Sequence, residues 1–149
     1  LNGRADIAAW RVLLRQPVNL LQLPGWPGVA KLTVEYVPYI AALRALGRPV
    51  AEYLADISDA WKQHREALGY GVQTRKILWD VANVAAVINP ASVTVTPLPA
   101  PTLDAAGAHD FDRPGRIVDV VTDLDAAWIL NDLWAALLRL PAVRSASPQ

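Results

Sequence analysis

The chain has 149 residues, enough for one domain that buries about two thirds of the surface of its unfolded chain. Its 14 Lys and Arg residues balance its 14 Asp and Glu residues without a long block of either sign, which argues against nucleic acid or an anionic membrane as a partner. The absence of Cys excludes disulfides and thiolate sites, and the two His residues lie too far apart to suggest a zinc site, whereas an oxygen-liganded metal remains open.

The composition is 53% hydrophobic, but no uninterrupted apolar run reaches the length of a membrane span. We therefore expect a soluble, cytoplasmic, globular protein with no membrane partner. The sequence contains no Met and opens with "LNGRAD", from which we expect its natural N-terminus to lie upstream. No signal peptide is visible at this start.

Apolar spacing and breaker residues predict alternating helices and strands. In chain order the predicted elements are a helix at 5–17, a buried strand with a Pro/Gly turn at 18–28, helices at 36–47, 48–71 and 80–89, an edge strand at 92–99, an irregular loop at 99–115, a strand at 116–125 and a helix at 126–140. Asp6 and Asp125 are candidate N-caps, Pro49 suits a first turn, and Gly47 and Pro90 end helices. This alternation predicts an α/β fold with a partly parallel sheet.

The helix at 48–71 carries large side chains on one side, three or four residues apart: Val50, Tyr53, Leu54, Ile57, Trp61 and His64. In the last helix, Trp128 and Trp134 are predicted core residues, although an exposed part could pack on a missing half or on a second subunit. We expect a single domain or half-domain over 1–149, with a frayed tail at 141–149.

Asp80 stands at the head of the apolar run "DVANVAAVIN" and has two interpretations. It is either an N-cap that accepts backbone N–H bonds, or a metal or sugar ligand, because α/β sheets bind ligands where strands lead into helices. The other acidic candidates are Asp104, Asp110 and Asp112, beside His109. They lack the glycine and terminal Glu of an EF-hand loop and are interpreted as a solvated loop.

The order of segments resembles that of the calcium-dependent nucleoside hydrolases, the inosine-uridine and purine nucleoside hydrolase family, over the C-terminal half of that family only. "LNGRADIAAW" is similar to an Asn-x-x-x-Asp-Pro-Glu-Ala element, with Ile7 and Ala8 in place of Pro and Glu. "LWDVANVAAVINPASV" resembles the element in which an aromatic residue or His precedes an Asp and a helix, and "RPGRIVDVVTDLDAAWILNDLWAAL" resembles the closing strand and helix.

The resemblance implies a Rossmann-like three-layer fold with an open sheet and cleavage of N-ribosides into base and ribose. It implies that Asp80 binds Ca²⁺, that Asn2 contacts the ribose hydroxyls, and that His64 lies at a wall of the base pocket. Trp79 replaces a His that many members use to protonate the leaving base, and this is typical of the purine-preferring branch, where stacking supports the base. The alternatives are that Trp79 is a core residue and that His64 is merely packed beside Trp61.

The family's D-x-D-x-x-x-D-D element, which supplies most calcium ligands and the general base, has no match in this chain. Because one carboxylate does not make a calcium site of six to eight oxygens, we expect the chain alone to be inactive and to need the N-terminal half of the same fold, with a homo-oligomer as a further expectation. Two other interpretations stay open: a noncatalytic ligand-binding or interaction module of the same fold, and an unrelated α/β domain in which Asp80 is only a cap.

Overall fold

The computed structural model describes residues 5–26, 28–112 and 115–142. Its helices are α1 (Ile7–Arg15), α2 (Tyr36–Ala45), α3 (Pro49–Ala67), α4 (Val81–Ile88) and α5 (Ala126–Arg139), with short 3₁₀ helices at Val29–Lys31 and Pro90–Ser92. Its strands are β1 (Leu21–Gln22), β2 (Thr33–Glu35), β3 (Arg75–Ile77), β4 (Val93–Pro99), β5 (Thr102–Leu103), β6 (His109–Asp110) and β7 (Ile117–Leu124).

The main sheet has three strands with β7 at its centre. β1 pairs with β7 in parallel, and β4 pairs with β7 in the antiparallel direction, which confirms the mixed α/β fold with a partly parallel sheet. β4 is an edge strand of this sheet, as its prolines predicted, because Pro97 and Pro99 have no N–H group to donate to a further strand.

The predicted helix ends are confirmed by their caps. The Asp6 carboxylate accepts from the Ala9 amide at 2.8 Å, and the Asp125 carboxylate accepts from the Trp128 amide at 2.9 Å. Pro49 opens α3, and Gly47 adopts a φ of 57° just beyond α2, a conformation that favours glycine. These ends were predictable because a cap depends on neighbouring residues only.

The principal core contains buried residues of α2, α3, α4 and α5, with the two-stranded β2–β3 sheet beside it. The Tyr39 and Trp134 rings pack with centroids 6.0 Å apart, so the expectation that the tryptophans of the last helix support the core is confirmed. Tyr36 is buried and donates its hydroxyl to the Ser58 carbonyl. Burial, followed by the nearby Asp59 carboxylate, raises the pKa of Tyr36 to about 12.

Three sequence expectations are corrected by the structure. The buried strand predicted at 18–28 is the two-residue β1, and its Leu21 is exposed because β1 lies at the other edge of the described sheet. The loop predicted at 99–115 contains the small β5–β6 sheet, and the β2–β3 pair was missed. Such short strands are defined by ladders between distant residues, which local patterns do not reveal. The tail at 143–149 lies outside the described residues.

None of the helices in the described ranges combines the length and the apolar character needed to cross a membrane.

Candidate functional site

Trp79 and Asp80 form the turn that joins β3 to α4. The residue before them is tied down, because the Leu78 amide donates to the Leu32 carbonyl at 2.9 Å and the Leu78 side chain is buried. The turn therefore begins directly after a fixed residue. It presents two exposed side chains, an indole and a carboxylate, at the start of a helix.

The interpretation of Asp80 as a side-chain N-cap is wrong in this structure. Its carboxylate makes no capping hydrogen bond, and only its backbone carbonyl takes part in the helix, accepting from the Asn83 and Val84 amides. The physical reason is the backbone of Asp80, whose φ of −85° and ψ of −15° are already close to helical. A capping side chain turns back onto the helix from an extended residue. The Asp80 carboxylate is therefore exposed at the helix N-terminus.

The Trp79 ring lies against Gly25, in the turn that follows β1. A Cβ atom added to Gly25 would be 3.0 Å from the Cζ3 atom of Trp79, so the glycine leaves room for the ring. Trp79 is 47% exposed, so it is neither a fully buried core residue nor a free surface residue. One part of the ring is held by the turn, and another part is open to contact.

The Gly25 turn was predicted, but its contact with Trp79 was missed by sequence reasoning. The signal was the run "PGWPG", in which closely spaced glycines and prolines indicate a tight turn that another group can approach. Trp26 in this run is 81% exposed, so a second indole stands beside the contact. No local pattern links Gly25 to Trp79, which is 54 residues further along the chain.

The same turn is anchored to β7, the central strand. A Cβ atom on Gly28 would be 2.9 Å from the Val121 carbonyl oxygen, so the turn passes directly over the β7 backbone. Lys31 pairs with Asp123 at 2.6 Å, and its hydrogen bond holds the pKa of the Asp123 carboxyl below its usual range. Trp79 thus lies beside the carboxyl ends of the parallel strands β1 and β7, where α/β sheets bind ligands.

Two other site residues were predicted, Asn2 and His64. Asn2 lies outside the described residues. His64 is exposed on α3, and no ring contact or hydrogen bond joins it to Trp79 in the described part of the chain. Its role at a base pocket stays a prediction.

The acidic loop behaves as a solvated loop. The Asp104 carboxylate accepts from the Ala106 and Ala108 amides at 2.8 Å each, and Asp110 accepts from Asp112 at 3.0 Å. His109 is exposed and packs edge-on against Phe111. Across residues 5–26, 28–112 and 115–142, no group of three His, Cys, Asp or Glu residues is arranged to hold a metal ion.

Two contacts between cations and aromatic rings lie near β3, the strand that leads to the Trp79–Asp80 turn. The Lys76 ammonium lies 4.4 Å from the Trp61 ring centroid, and the Arg65 guanidinium lies 3.4 Å from that of Tyr70. Burial lowers the pKa of Lys76, because the charged form loses hydration. The Lys76–Trp61 contact joins β3 to the C-terminal half of α3, and the Arg65–Tyr70 contact holds the segment after α3 against that helix.

One solved structure identifies the fold. The chain is similar to a purine-preferring ribonucleoside hydrolase from Gardnerella vaginalis, with a TM-score of 0.68 and 21% sequence identity. The match covers 89% of this chain and 44% of that chain, so this chain spans less than half the length of the hydrolase. No protein-family model matches the sequence, and no curated protein matches it either.

This likeness shows a nucleoside-hydrolase-like fold. It confirms the α/β fold class with a partly parallel sheet, which the order of segments predicted. The chain corresponds to part of the matched fold. At 21% identity the likeness concerns architecture, so the chemistry of the site depends on this chain's own residues.

Proposed function

We propose that this chain is the C-terminal portion of a nucleoside N-ribohydrolase that cleaves purine ribonucleosides with the help of Ca²⁺. The observation that carries the proposal is the pairing of an exposed, uncapped carboxylate with a half-exposed indole at the end of β3, in a fold of the hydrolase type. The proposed substrate is a small nucleoside, and the proposed Ca²⁺ ligand within the described residues is Asp80.

The Asp80 carboxylate suits one position in a calcium site. It is an oxygen ligand, it is exposed, and it makes no capping hydrogen bond that a cation would have to displace. Bound Ca²⁺ would orient sugar hydroxyls and lower the pKa of an attacking water. Asp80 would contribute negative charge and one or two oxygen ligands, and Asn2 would contribute an amide to the ribose.

Trp79 suits the base. Its exposed part offers a flat apolar surface, while Gly25 limits movement of the ring on the other side. Stacking a base on an aromatic ring contributes about 1–3 kcal/mol and depends on the area of overlap, which favours the larger purines. We propose that Trp79 holds the base while the glycosidic bond breaks through an oxocarbenium-like transition state.

We infer that the site is incomplete, because one carboxylate supplies too few oxygens for calcium and the described residues contain no group of three His, Cys, Asp or Glu side chains that could hold a metal ion. We propose that the N-terminal half of the fold supplies the remaining ligands and the general base. The surface of α4 supports this, since Val84, Val87 and Ile88 form an exposed apolar stripe on the helix that Asp80 begins.

The test compares this chain with a longer protein that includes the polypeptide encoded upstream of Leu1. We expect that this chain, supplied with Ca²⁺, does not release ribose from inosine. We expect that the longer protein does release ribose, and that the reaction stops when the metal is chelated. Asp80→Asn in the longer protein should lower the rate by about 100-fold or more, as loss of a metal ligand does. Asp104→Asn, in the segment beside the amino end of β7 and therefore at the opposite end of the sheet, is the matched control.

The alternative is a noncatalytic binding or interaction module of the same fold, favoured by the lack, among the described residues, of a group of three side chains able to hold a metal ion. Calorimetric titration of the longer protein with Ca²⁺ separates the two proposals. A longer protein that neither binds Ca²⁺ nor cleaves inosine would overturn the hydrolase proposal and support the module.

A further inference from the structure

Gly25 differs from the other glycines of the described residues in what surrounds it. Four of those glycines have positive φ angles, a conformation that favours glycine, and Gly28 and Gly115 face backbone carbonyl oxygens. Gly25 has no positive φ, and the three atoms nearest to a Cβ atom built on it all belong to the Trp79 ring. The backbone conformation at residue 25 therefore accepts a side chain, and the Trp79 ring is the nearest obstacle to one.

The contact between Gly25 and Trp79 concerns one edge of the indole. A Cβ atom at residue 25 would lie 3.0 Å from Cζ3, 3.6 Å from Cη2 and 3.8 Å from Cε3 of Trp79. These three consecutive atoms belong to the six-membered ring and lie on the side away from the pyrrole nitrogen. Because the indole is rigid, displacement of this edge moves the whole aromatic plane. Residue 25 therefore limits where the ring can lie.

The segment that begins near Gly25 also holds the backbone that leads into Trp79. The Leu32 carbonyl accepts from the Leu78 amide at 2.9 Å, one residue before Trp79, and Leu32 is fully buried. The Ala30 amide donates to the Gly25 carbonyl at 2.9 Å, which ties the start of the segment to the part just before Leu32. One segment therefore contacts both the edge of the Trp79 ring and the residue that precedes it.

The position of the Trp79 ring matters for the choice of base. Stacking becomes stronger as the overlap between two flat ring systems grows, and a two-ring purine covers more of an indole than a one-ring pyrimidine does. A displaced ring loses overlap at its edges first, and this is overlap that only the larger base uses. Displacement of Trp79 should therefore weaken contact with a purine more than contact with a pyrimidine.

We propose that Gly25 is a positioning residue that sets the preference for a purine base. Because it has no side chain, it lets the Trp79 ring reach the position in which a purine overlaps the whole indole. The positioning role rests on the proposed function, since it requires that Trp79 stacks on the base of a nucleoside. Gly25 acts through Trp79 and does not touch the substrate, so the effects of substitutions at the two positions should be coupled.

A double-mutant cycle in the longer protein tests this coupling, with kcat/KM for inosine and for uridine as the readout. We expect Gly25→Val to lower kcat/KM for inosine by about tenfold, within the range of one stacking contact, and to lower the value for uridine by less. Trp79→Phe replaces the indole by a shorter ring that lacks the edge facing Gly25. In that background we expect Gly25→Val to change kcat/KM for inosine by about twofold or less.

Gly115→Val is the matched control for the steric effect of the substitution. A Cβ atom at residue 115 also lies 3.0 Å from its nearest neighbour, the Ala100 carbonyl oxygen, at the opposite end of the main sheet. A loss of folded protein lowers the rates with inosine and with uridine equally. We therefore expect Gly115→Val to leave the ratio of the two kcat/KM values unchanged.

Tryptophan fluorescence of the 149-residue chain measures the position of the ring without any substrate. The contribution of Trp79 is the difference between the emission of the chain and that of its Trp79→Phe variant. We expect Gly25→Val to change this difference and its quenching by acrylamide, and Gly115→Val to leave both unchanged. An unchanged difference in the Gly25→Val chain would overturn the positioning role.

The kinetic outcomes separate this proposal from the hydrolase proposal. A Gly25→Val loss that is equal for inosine and uridine, or that is as large in the Trp79→Phe background, would overturn the positioning role and leave the hydrolase proposal intact. A longer protein that cleaves no nucleoside would overturn the hydrolase proposal and the positioning role with it.

Discussion

At the scale of single residues, the candidate site depends on a close contact between Trp79 and a glycine. A Cβ atom at Gly25 would lie 3.0 Å from the Trp79 ring, so a larger residue there would displace the ring slightly, and Trp79 as a whole is 47% exposed. Asp80 shows the same dependence on small local differences, since its near-helical backbone angles keep its carboxylate out of the cap. In both residues the exposed group is the one that the proposed chemistry uses.

Glu66 gives a residue-scale prediction for pH. It accepts from the Gln73 amide at 2.9 Å and pairs with Lys62 at 2.9 Å, and these bonds, the amide first, lower the pKa of its carboxyl. Because the pKa is lower in the folded state, the stabilisation is present above the unfolded value near 4.5 and is lost as the pH falls through the folded value.

We therefore expect Glu66→Gln to reduce the free energy of unfolding at neutral pH and to have a smaller effect at about pH 3, because the stabilisation declines as the pH falls below the unfolded value. Urea denaturation of both proteins at the two pH values measures this difference. An equal effect at both pH values would show that the charge of Glu66 plays no part.

At the scale of the elements, helix ends were predictable and short strands were not. The boundaries of α2, α3 and α5 follow from Gly47, Pro49 and Asp125, each of which acts on its own segment of the chain. β2 and β3 pair across about forty residues, and neither has a pattern that a three-residue strand could show. The large residues on one side of α3 were visible as a periodic pattern, but the sequence did not reveal that Tyr53 and Ile57 are exposed while Ala51 and Ala55 are buried.

The two helix-terminal aspartates give an element-scale prediction. Asp125→Ala should lower the free energy of unfolding by about 1 kcal/mol, because it removes the bond to the Trp128 amide. Asp80→Ala should cost less, about 0.5 kcal/mol or below, since only its charge interacts with the helix dipole. Urea denaturation of both variants measures the difference, and equal losses would restore the capping interpretation of Asp80.

At the scale of the whole molecule, the chain has a real core together with apolar surface outside it. Leu43 is fully buried in the cluster formed by α2, α3, α4 and α5, whereas Val87, on the other side of α4, is 81% exposed. The chain spans less than half the length of the hydrolase chain that it matches, and it has both a packed core and exposed apolar surface.

Leu43→Ala should lower the free energy of unfolding of this chain by about 2–5 kcal/mol, the cost of a cavity in a packed core. Val87→Ala should change it by about 0.5 kcal/mol or less, because the methyl groups removed already contact water. Thermal and urea unfolding of both variants measure these costs. Similar small effects would show that the core of this chain is not cooperatively packed.

The sequence by itself determined the helices, their ends, and the edge character of β4, because caps, breakers and the missing N–H group of proline act within a few residues. It also indicated the nucleoside-hydrolase-like fold through the order of its segments. Only the tertiary structure decided that Trp79 rests on Gly25, that Asp80 is left uncapped, and that α3 turns its large residues outward. These features depend on contacts between distant segments, whose geometry is set by packing of the whole chain and not by local preference.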